Sequence, residues 1–175
     1  GTPFNWFEAS YQYTDVDNAL YSLSPEFSGD QTYKDKSFDA KFLLLKEGNY
    51  VPAVAFGARD LAGTGVFSAE YLVASKRFNN FDFTLGIGWG TFSDNGIKNP
   101  FRYIDDEFET RDVTSNETQG GEFSIGNYLS GKDVGIFGGV EVYLPNLRGA
   151  RFKVEYDSTD YEKEGFPFGK QSFNF

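Results

Sequence analysis

The acidic side chains between positions 105 and 109 are the densest group of potential metal ligands in the sequence. Asp105, Asp106, Glu107 and Glu109 lie in a polar stretch that has no hydrophobic periodicity. Carboxylate oxygens are the ligands that Ca²⁺ and Mg²⁺ prefer, but the spacing here differs from that of an EF-hand loop. We therefore interpret the stretch as a solvated loop, with cation binding by Asp105, Asp106 and Glu107 as the weaker alternative.

Catalytic chemistry has little support in the residue types present. The sequence contains no His, no Cys and no Met, which removes histidine-dependent and thiolate catalysis from this segment. The stretch AGTGVFSAE at 62–70 lacks the Gly-Lys-Ser/Thr ending of a phosphate loop and precedes a predicted strand, so it predicts a turn. No two carboxylates stand out as the pair that glycoside hydrolysis requires. The sequence predicts a protein that is not an enzyme and has no cofactor.

Composition narrows the class of protein. The net charge of −10 argues against a nucleic-acid partner, which requires clustered Lys and Arg. No apolar run approaches the roughly 18 residues of a membrane helix, although 19% of the residues are aromatic. The chain is therefore either soluble or crosses a membrane as strands, whose alternation keeps the mean hydropathy low.

Apolar and polar residues alternate along most of the chain, which is the pattern of β-strands. The alternation is nearly strict at 81–90, where Phe83, Leu85 and Ile87 are separated by polar residues and glycines, and Asn79-Asn80 before it predicts a tight hairpin. Similar patterns predict strands near 7–14, 37–44, 52–59, 67–76, 134–142 and 151–157, and weaker ones lie at 123–128 and 168–175. The prediction is an antiparallel, up-and-down sheet of about 8 strands.

Two stretches lack alternation and are predicted to be loops. They are residues 16–35 and residues 91–122. A loop of about thirty residues is unusual in a compact domain and common on one rim of a β-barrel.

The apolar face of such a sheet meets either a protein core or lipid, and alternation alone does not distinguish the two. Unequal turn lengths and the mixture of glycine and opposite charges on the polar face favour a transmembrane β-barrel over a soluble sandwich or lipocalin-like barrel. Aromatic residues near the predicted strand ends would form interfacial girdles: Trp6, Tyr13, Tyr50, Phe78, Phe81, Trp89, Tyr143 and Tyr156.

In a barrel of this kind the polar face lines the lumen. The charged candidates for this lining are Arg59, Glu70, Lys76, Asp82, Glu141, Arg151, Lys153 and Glu155. We expect them to pair across strands, because an unpaired buried charge is costly. The pairs would either form an internal salt-bridge network or guide a glycan by charge and hydrogen bonds.

The stretch RDLAGTGVFSAEYLVASKRFNNFDFTLGIGWG at 59–90 resembles the signature of the YjbH/GfcD-type exopolysaccharide (capsule) biosynthesis family. NPFR at 99–102, GIFGGVEVYLP at 135–145 and KVEYDSTDYEKEG at 153–165 support the resemblance, which extends over roughly 37–175 and is weaker before that. It implies an outer-membrane β-barrel of a Gram-negative bacterium, several hundred residues long and encoded with polysaccharide synthesis and export genes. Residues 1–175 would then form a single β-barrel region within a longer chain.

The expected function is therefore non-catalytic assistance of exopolysaccharide or capsule export or assembly in the outer membrane of a Gram-negative bacterium. The resemblance implies contact with outer-membrane lipid or lipopolysaccharide, with polysaccharide and with periplasmic export components. The alternative is a soluble periplasmic or surface β-sandwich or barrel that binds glycan.

Overall fold

The strands form one antiparallel sheet in the computed structural model, which describes residues 4–20, 26, 29–61, 68–93, 96–111 and 128–158. The strands are β1 (Phe7–Leu20), β2 (Thr32–Leu45), β3 (Ala53–Arg59), β4 (Ala69–Phe78), β5 (Phe81–Gly90), β6 (Ile97–Lys98), β7 (Asp133–Leu144) and β8 (Ala150–Asp157). Seven of them follow chain order across the sheet as β1-β2-β3-β4-β5-β7-β8, and β6 pairs with the start of β7. The prediction of an all-β, antiparallel fold with about eight strands is confirmed.

The two ends of the sheet carry connections of different length. At one end, here called the lower rim, the connections are residues 46–52, 79–80 and 145–149. At the upper rim they are residues 21–31, 60–68 and 91–132. Asn79 has φ 54°, the left-handed conformation that a tight hairpin requires. The predicted hairpin and the predicted inequality of the rims are both confirmed.

The predicted loop at 16–35 is wrong at both of its ends. β1 continues to Leu20 and β2 begins at Thr32. The two strands are paired regularly as far as Val16 and Tyr33, and Leu20 pairs with Thr32 beyond a register shift. The Lys34 ammonium lies 2.7 Å from the Asp15 carboxylate across the two strands. The backbone hydrogen bonds between paired strands form whatever the side chains are. A pair of strands that is polar on both faces therefore shows no alternation of apolar and polar residues in the sequence.

The long connection at 91–132 contains more structure than a solvated loop. Among its described residues it has, besides β6, two 3-10 helices, at Pro100–Tyr103 and Asp106–Glu109. Residues 112–127, and with them nearly all of the strand predicted at 123–128, lie outside the described residues, as does the strand predicted at 168–175. No helix within the described ranges has the length and hydropathy needed to cross a membrane.

The strand register defines two faces of the sheet, because residues directly opposite each other project to the same side. The apolar face carries Phe83, Leu85 and Ile87, and the polar face carries Asp82 and Thr84. Large side chains of the apolar face remain exposed along its width, among them Tyr11, Phe38, Phe42, Leu72, Phe83, Leu85, Phe152, Val154 and Tyr156. Within the described residues this face therefore has no protein layer over most of its area.

Candidate functional site

The polar face of the sheet is concave and lines a cavity of about 890 Å³. Its walls come from β3, β4, β5, β7 and β8. Aromatic residues and Arg59 line the part of this concave cavity nearer the upper rim, whereas charged side chains line the part nearer the lower rim. The two parts differ in what they can bind.

Three aromatic side chains, Tyr71, Phe92 and Phe137, meet in the upper part of the concave cavity and are here called the aromatic trio. Their ring centroids lie 6.0 to 6.3 Å apart. A Cβ at Gly57 would lie 2.2 Å from Tyr71 Cζ, and one at Gly86 would lie 2.2 Å from Phe137 Cζ. The glycines are therefore necessary for the rings to lie against the neighbouring strands.

Arg59 lies next to the aromatic trio at the end of β3. Its guanidinium carbon is 5.5 Å from the Phe92 ring centroid, within the range of a cation–π contact. Among the described residues, no carboxylate lies within 4 Å of this guanidinium. Asp39 on β2 instead accepts hydrogen bonds from the Asp60 amide and the Ser10 hydroxyl.

The charged side chains in the lower part of the concave cavity form ion pairs. The pairs are Arg77–Asp82 at 3.0 Å, Arg151–Glu141 at 3.0 Å and Lys153–Glu155 at 2.6 Å. Asp82 and Glu141 are direct cross-strand neighbours, so two carboxylates lie between flanking cations. Since these side chains are largely exposed, solvent screens the attraction within each pair.

The eight charged residues predicted to line a lumen do not all share one face. Arg59, Asp82, Glu141, Arg151, Lys153 and Glu155 lie on the polar face. Glu70 is opposite Trp89, and Lys76 is opposite Phe83, which places both on the apolar face. Alternation is ambiguous in β4, because Leu72 and Tyr71 are adjacent and project to opposite sides.

Glu70 belongs to a buried polar cluster at the upper rim. It is fully buried, and its carboxylate accepts two hydrogen bonds from the Arg111 guanidinium, at 2.8 and 2.9 Å. The Leu129 amide donates a third, at 3.0 Å, and Arg111 also donates to the Ser68 hydroxyl at 2.9 Å. This bidentate pair joins β4 to two parts of the long connection.

Asn99 forms the second half of this rim cluster and is also fully buried. Its side-chain oxygen accepts a hydrogen bond from Trp89 Nε1 at 3.2 Å, and its amide nitrogen lies 2.9 to 3.1 Å from the carbonyls of Phe108, Leu129 and Gly131. The ring of Trp89 stacks on Phe101 with centroids 5.7 Å apart. Residues 99–111 and 128–131 thus cover the upper end of the apolar face.

The sequence gave no indication that Arg111 pairs with Glu70, and it gave Asn99 no role beyond the NPFR stretch. Their partners lie 41 positions away for Arg111–Glu70 and as far as 32 positions away for Asn99. A pattern of spacing along the chain carries no signal for such contacts.

Lys76 anchors the lower rim instead of lining the concave cavity. Its ammonium lies 3.2 Å from Glu47 and donates to the Gly48 carbonyl. Glu47 also accepts a hydrogen bond from the Arg77 amide at 3.0 Å. That hydrogen bond, followed by the one from Lys76, lowers the pKa of the Glu47 carboxyl below its ordinary value.

Tyr128 fastens the long connection to the turn that follows β3. Its hydroxyl donates to the Leu61 carbonyl at 3.2 Å. Burial, with a smaller contribution from the Glu70 charge, raises the pKa of this phenol.

The acidic stretch at 105–109 does not converge on a point in space. Asp105 accepts a hydrogen bond from the Glu107 amide at 3.0 Å and begins a 3-10 helix. Glu109 lies 3.3 Å from Arg102. In the part of the chain that the structure describes, no three acidic residues are arranged to hold a metal ion.

Comparison with known proteins identifies relatives of this chain. The model of the YjbH family, described as "Exopolysaccharide biosynthesis protein YbjH", matches residues 2–175. A protein of Escherichia coli K12, described as "Uncharacterized lipoprotein YjbH", is 45% identical over 162 residues, which are 92% of this chain and 23% of that protein. No solved structure matches. The resemblance inferred from residues 59–90 is confirmed and extends to the N-terminal residues, where it was less clear.

Proposed function

The chain belongs to the YjbH family of exopolysaccharide biosynthesis proteins, and from this premise we propose that it forms part of an outer-membrane β-barrel that assists polysaccharide export or assembly. The apolar face contacts lipid and the concave cavity forms part of the lumen. The segment acts by scaffolding or conduction and carries no catalytic group. Because it spans 23% of the E. coli relative, the remainder of the barrel would come from other parts of a longer chain.

The exposed apolar face is the observation that carries this proposal. Leu85 is 65% exposed in the middle of β5, and Phe152 and Val154 on β8 are 63% and 58% exposed. Soluble monomers rarely leave a contiguous apolar patch of this width uncovered. In a transmembrane barrel the same surface is buried in hydrocarbon.

The polar face supports the same proposal. It combines ion pairs, glycines and hydroxyl contacts such as Ser75–Thr84 at 3.1 Å, which suit a water-filled or polar interior. Its carboxylates Asp82, Glu141 and Glu155 are each held by a cation. This pairing supports a structural or guiding role in place of acid–base catalysis.

A membrane-associated location is supported by the relative, whose description includes the word lipoprotein. An outer-membrane location and contacts with lipopolysaccharide, polysaccharide and periplasmic export components are further parts of the proposal. In this proposal the chain lies in the membrane that an exported glycan crosses.

Cysteine accessibility in native membranes tests the proposal, and this segment contains no Cys of its own. Phe83→Cys and Leu85→Cys place thiols on the apolar face, and Asp82→Cys and Thr84→Cys are matched controls on the same strand. Gly86 is unsuitable, because a Cβ there would clash with the Phe137 ring. Each variant of the full-length parent protein is treated with a bilayer-soluble and a membrane-impermeant thiol reagent.

We expect the thiols at 83 and 85 to react only with the bilayer-soluble reagent. The thiols at 82 and 84 should react with the impermeant reagent or be protected by the lumen. If all four thiols are inert to the bilayer-soluble reagent, the apolar face packs against protein and the barrel proposal fails.

The second candidate is a soluble periplasmic or surface β-domain that binds glycan. The covering of the upper apolar face favours it, because residues 99–111 pack on Trp89, which is only 3% exposed. The same face thus accepts a protein layer at one end. Recovery of the full-length protein in a soluble periplasmic fraction, without detergent, would support this candidate against the first.

A further inference from the structure

We propose that the upper part of the concave cavity binds the acidic sugar units of a polysaccharide, with Arg59 contacting the anionic group and the aromatic trio packing on the sugar ring. This inference rests on the proposed function, because it names the class of glycan that the polar face contacts. It concerns a subsite made by residues on four segments: β3, β4, β7 and the turn after β5.

The charge state of the cavity points to Arg59. The other cationic side chains of its lining, Arg77, Arg151 and Lys153, each have a carboxylate within 3.0 Å. Arg59 has none within 4 Å among the described residues and instead rests on the Phe92 ring. The fourth carboxylate of the lining, Asp157, also lies more than 4 Å from this guanidinium. A guanidinium offers a planar set of donors that matches a carboxylate or phosphate in two-point geometry.

The aromatic trio supplies the second part of the subsite. Gly57 and Gly86 let the Tyr71 and Phe137 rings lie against the sheet, and both rings line the cavity. All three rings are partly exposed. The negative face of an aromatic ring attracts the C–H groups of a sugar ring, whichever sugar is bound. Stacking therefore gives affinity for glycans in general, and Arg59 gives the preference for acidic ones.

The lower part of the cavity is expected to be indifferent to ligand charge. Its three ion pairs cancel three positive charges with three negative ones. A glycan would meet hydrogen-bonding groups there without a net charge. The preference for an acidic sugar is thus confined to the vicinity of Arg59.

The test measures binding of two defined oligosaccharides to the full-length parent protein, purified in detergent, by isothermal titration calorimetry. Alginate oligosaccharides supply uronate carboxylates and dextran oligosaccharides supply neutral sugars. We expect alginate to bind more tightly than dextran and Arg59→Gln to weaken alginate binding about tenfold or more, with dextran binding unchanged. Arg59→Lys keeps the charge and should retain part of the preference.

Arg151→Gln is the matched control, because it removes an arginine from the same cavity that is already paired with Glu141. The inference is overturned if the parent binds alginate no better than dextran, or if Arg59→Gln and Arg151→Gln have equal effects. If Arg59→Gln does not fold, binding of both oligosaccharides to Arg59→Lys is measured at increasing salt concentration. Loss of alginate binding with unchanged dextran binding supports the charge contact, and equal losses for the two oligosaccharides oppose it.

The two proposals can fail separately. Calorimetry in detergent reports on Arg59 whether or not the apolar face meets lipid. The thiol-labelling experiment reports on lipid exposure whether or not Arg59 binds a glycan.

Discussion

Arg111→Met should release the long connection from the upper rim, because it leaves the Glu70 carboxylate buried without its cation. Glu70 is fully buried and Arg111 is 10% exposed, so solvent screens their interaction little. Breaking a buried pair by removing one partner typically costs about 3–5 kcal/mol. The rim contacts of residues 128–131 depend on this carboxylate, since the Leu129 amide donates to it directly.

Hydrogen–deuterium exchange gives the readout at the site of the change. The Leu129 amide is bonded to Glu70, and the Gly131 amide is bonded to the Phe108 carbonyl at 3.0 Å. If these amides exchange by local opening, a cost of about 3–5 kcal/mol corresponds to exchange roughly 160- to 4800-fold faster. Mass spectrometry of peptides covering 128–132, from the full-length parent in detergent, measures this factor.

Arg77→Met is the matched control, because the Arg77–Asp82 pair is largely exposed, with side-chain exposures of 66% and 36%. Its loss should cost less than about 1 kcal/mol and should leave exchange at 128–132 unchanged. Replacing both buried partners, as Glu70→Leu with Arg111→Met, should cost less than the sum of the two single changes. Equal exchange in Arg111→Met and Arg77→Met, or strict additivity of the double change, would refute the assignment of a coupled buried pair.

Three further outcomes are expected. Gly86→Ala should lower the free energy of unfolding by about 1–3 kcal/mol, because the new methyl group overlaps the Phe137 ring. Adding Phe137→Ala should relieve part of that loss, as measured by urea titration in detergent. If the second change brings no relief, the contact between Gly86 and the Phe137 ring is contradicted. Trp6 is 51% exposed and Trp89 is 3% exposed. In variants that keep only one of the two tryptophans, brominated lipid should therefore quench the fluorescence of Trp6 more than that of Trp89. The reverse order would oppose lipid contact at the lower rim. Since the folded pKa of Glu47 is lowered, the contribution of its carboxylate to stability is present above the unfolded pKa of about 4.5 and is lost as the pH falls through the folded pKa. The Arg77 amide, which donates to this carboxylate, should therefore lose its extra protection from hydrogen exchange in acid and approach the protection seen in Glu47→Gln. A ratio of the two exchange rates that is independent of pH would count against the contact.

The strands of this protein could be predicted because alternation is a local property. Residues 81–90 alternate almost strictly, and Asn79 adopts the left-handed conformation that its side chain tolerates. The ends of β1 and β2 were missed for a related reason. Asp15 and Lys34 are polar residues on paired strands, and a pairing of this kind leaves no apolar period to read.

The candidate site could be predicted only where the alternation was clear. Asp82 and Glu141 lie on the polar face as predicted, because their strands are unambiguous. Glu70 and Lys76 were assigned to the wrong face, since β4 has apolar residues on both sides. The aromatic trio was not predicted as a group, because Phe92 lies outside any strand and approaches Phe137 only after the chain turns back.

The sequence by itself determined most of the strand segments, the short hairpin at Asn79 and the existence of one apolar and one polar face, because each follows from neighbours within a few residues. Only the tertiary structure decided that the polar face is concave, that Glu70 is paired with Arg111 at the rim, and that Arg59 lies over an aromatic ring without a carboxylate within 4 Å in the described residues. These features depend on strand register and on contacts between distant residues. Their energies come from excluding water around particular atoms, which happens only after the sheet has curled and the long connection has packed against it.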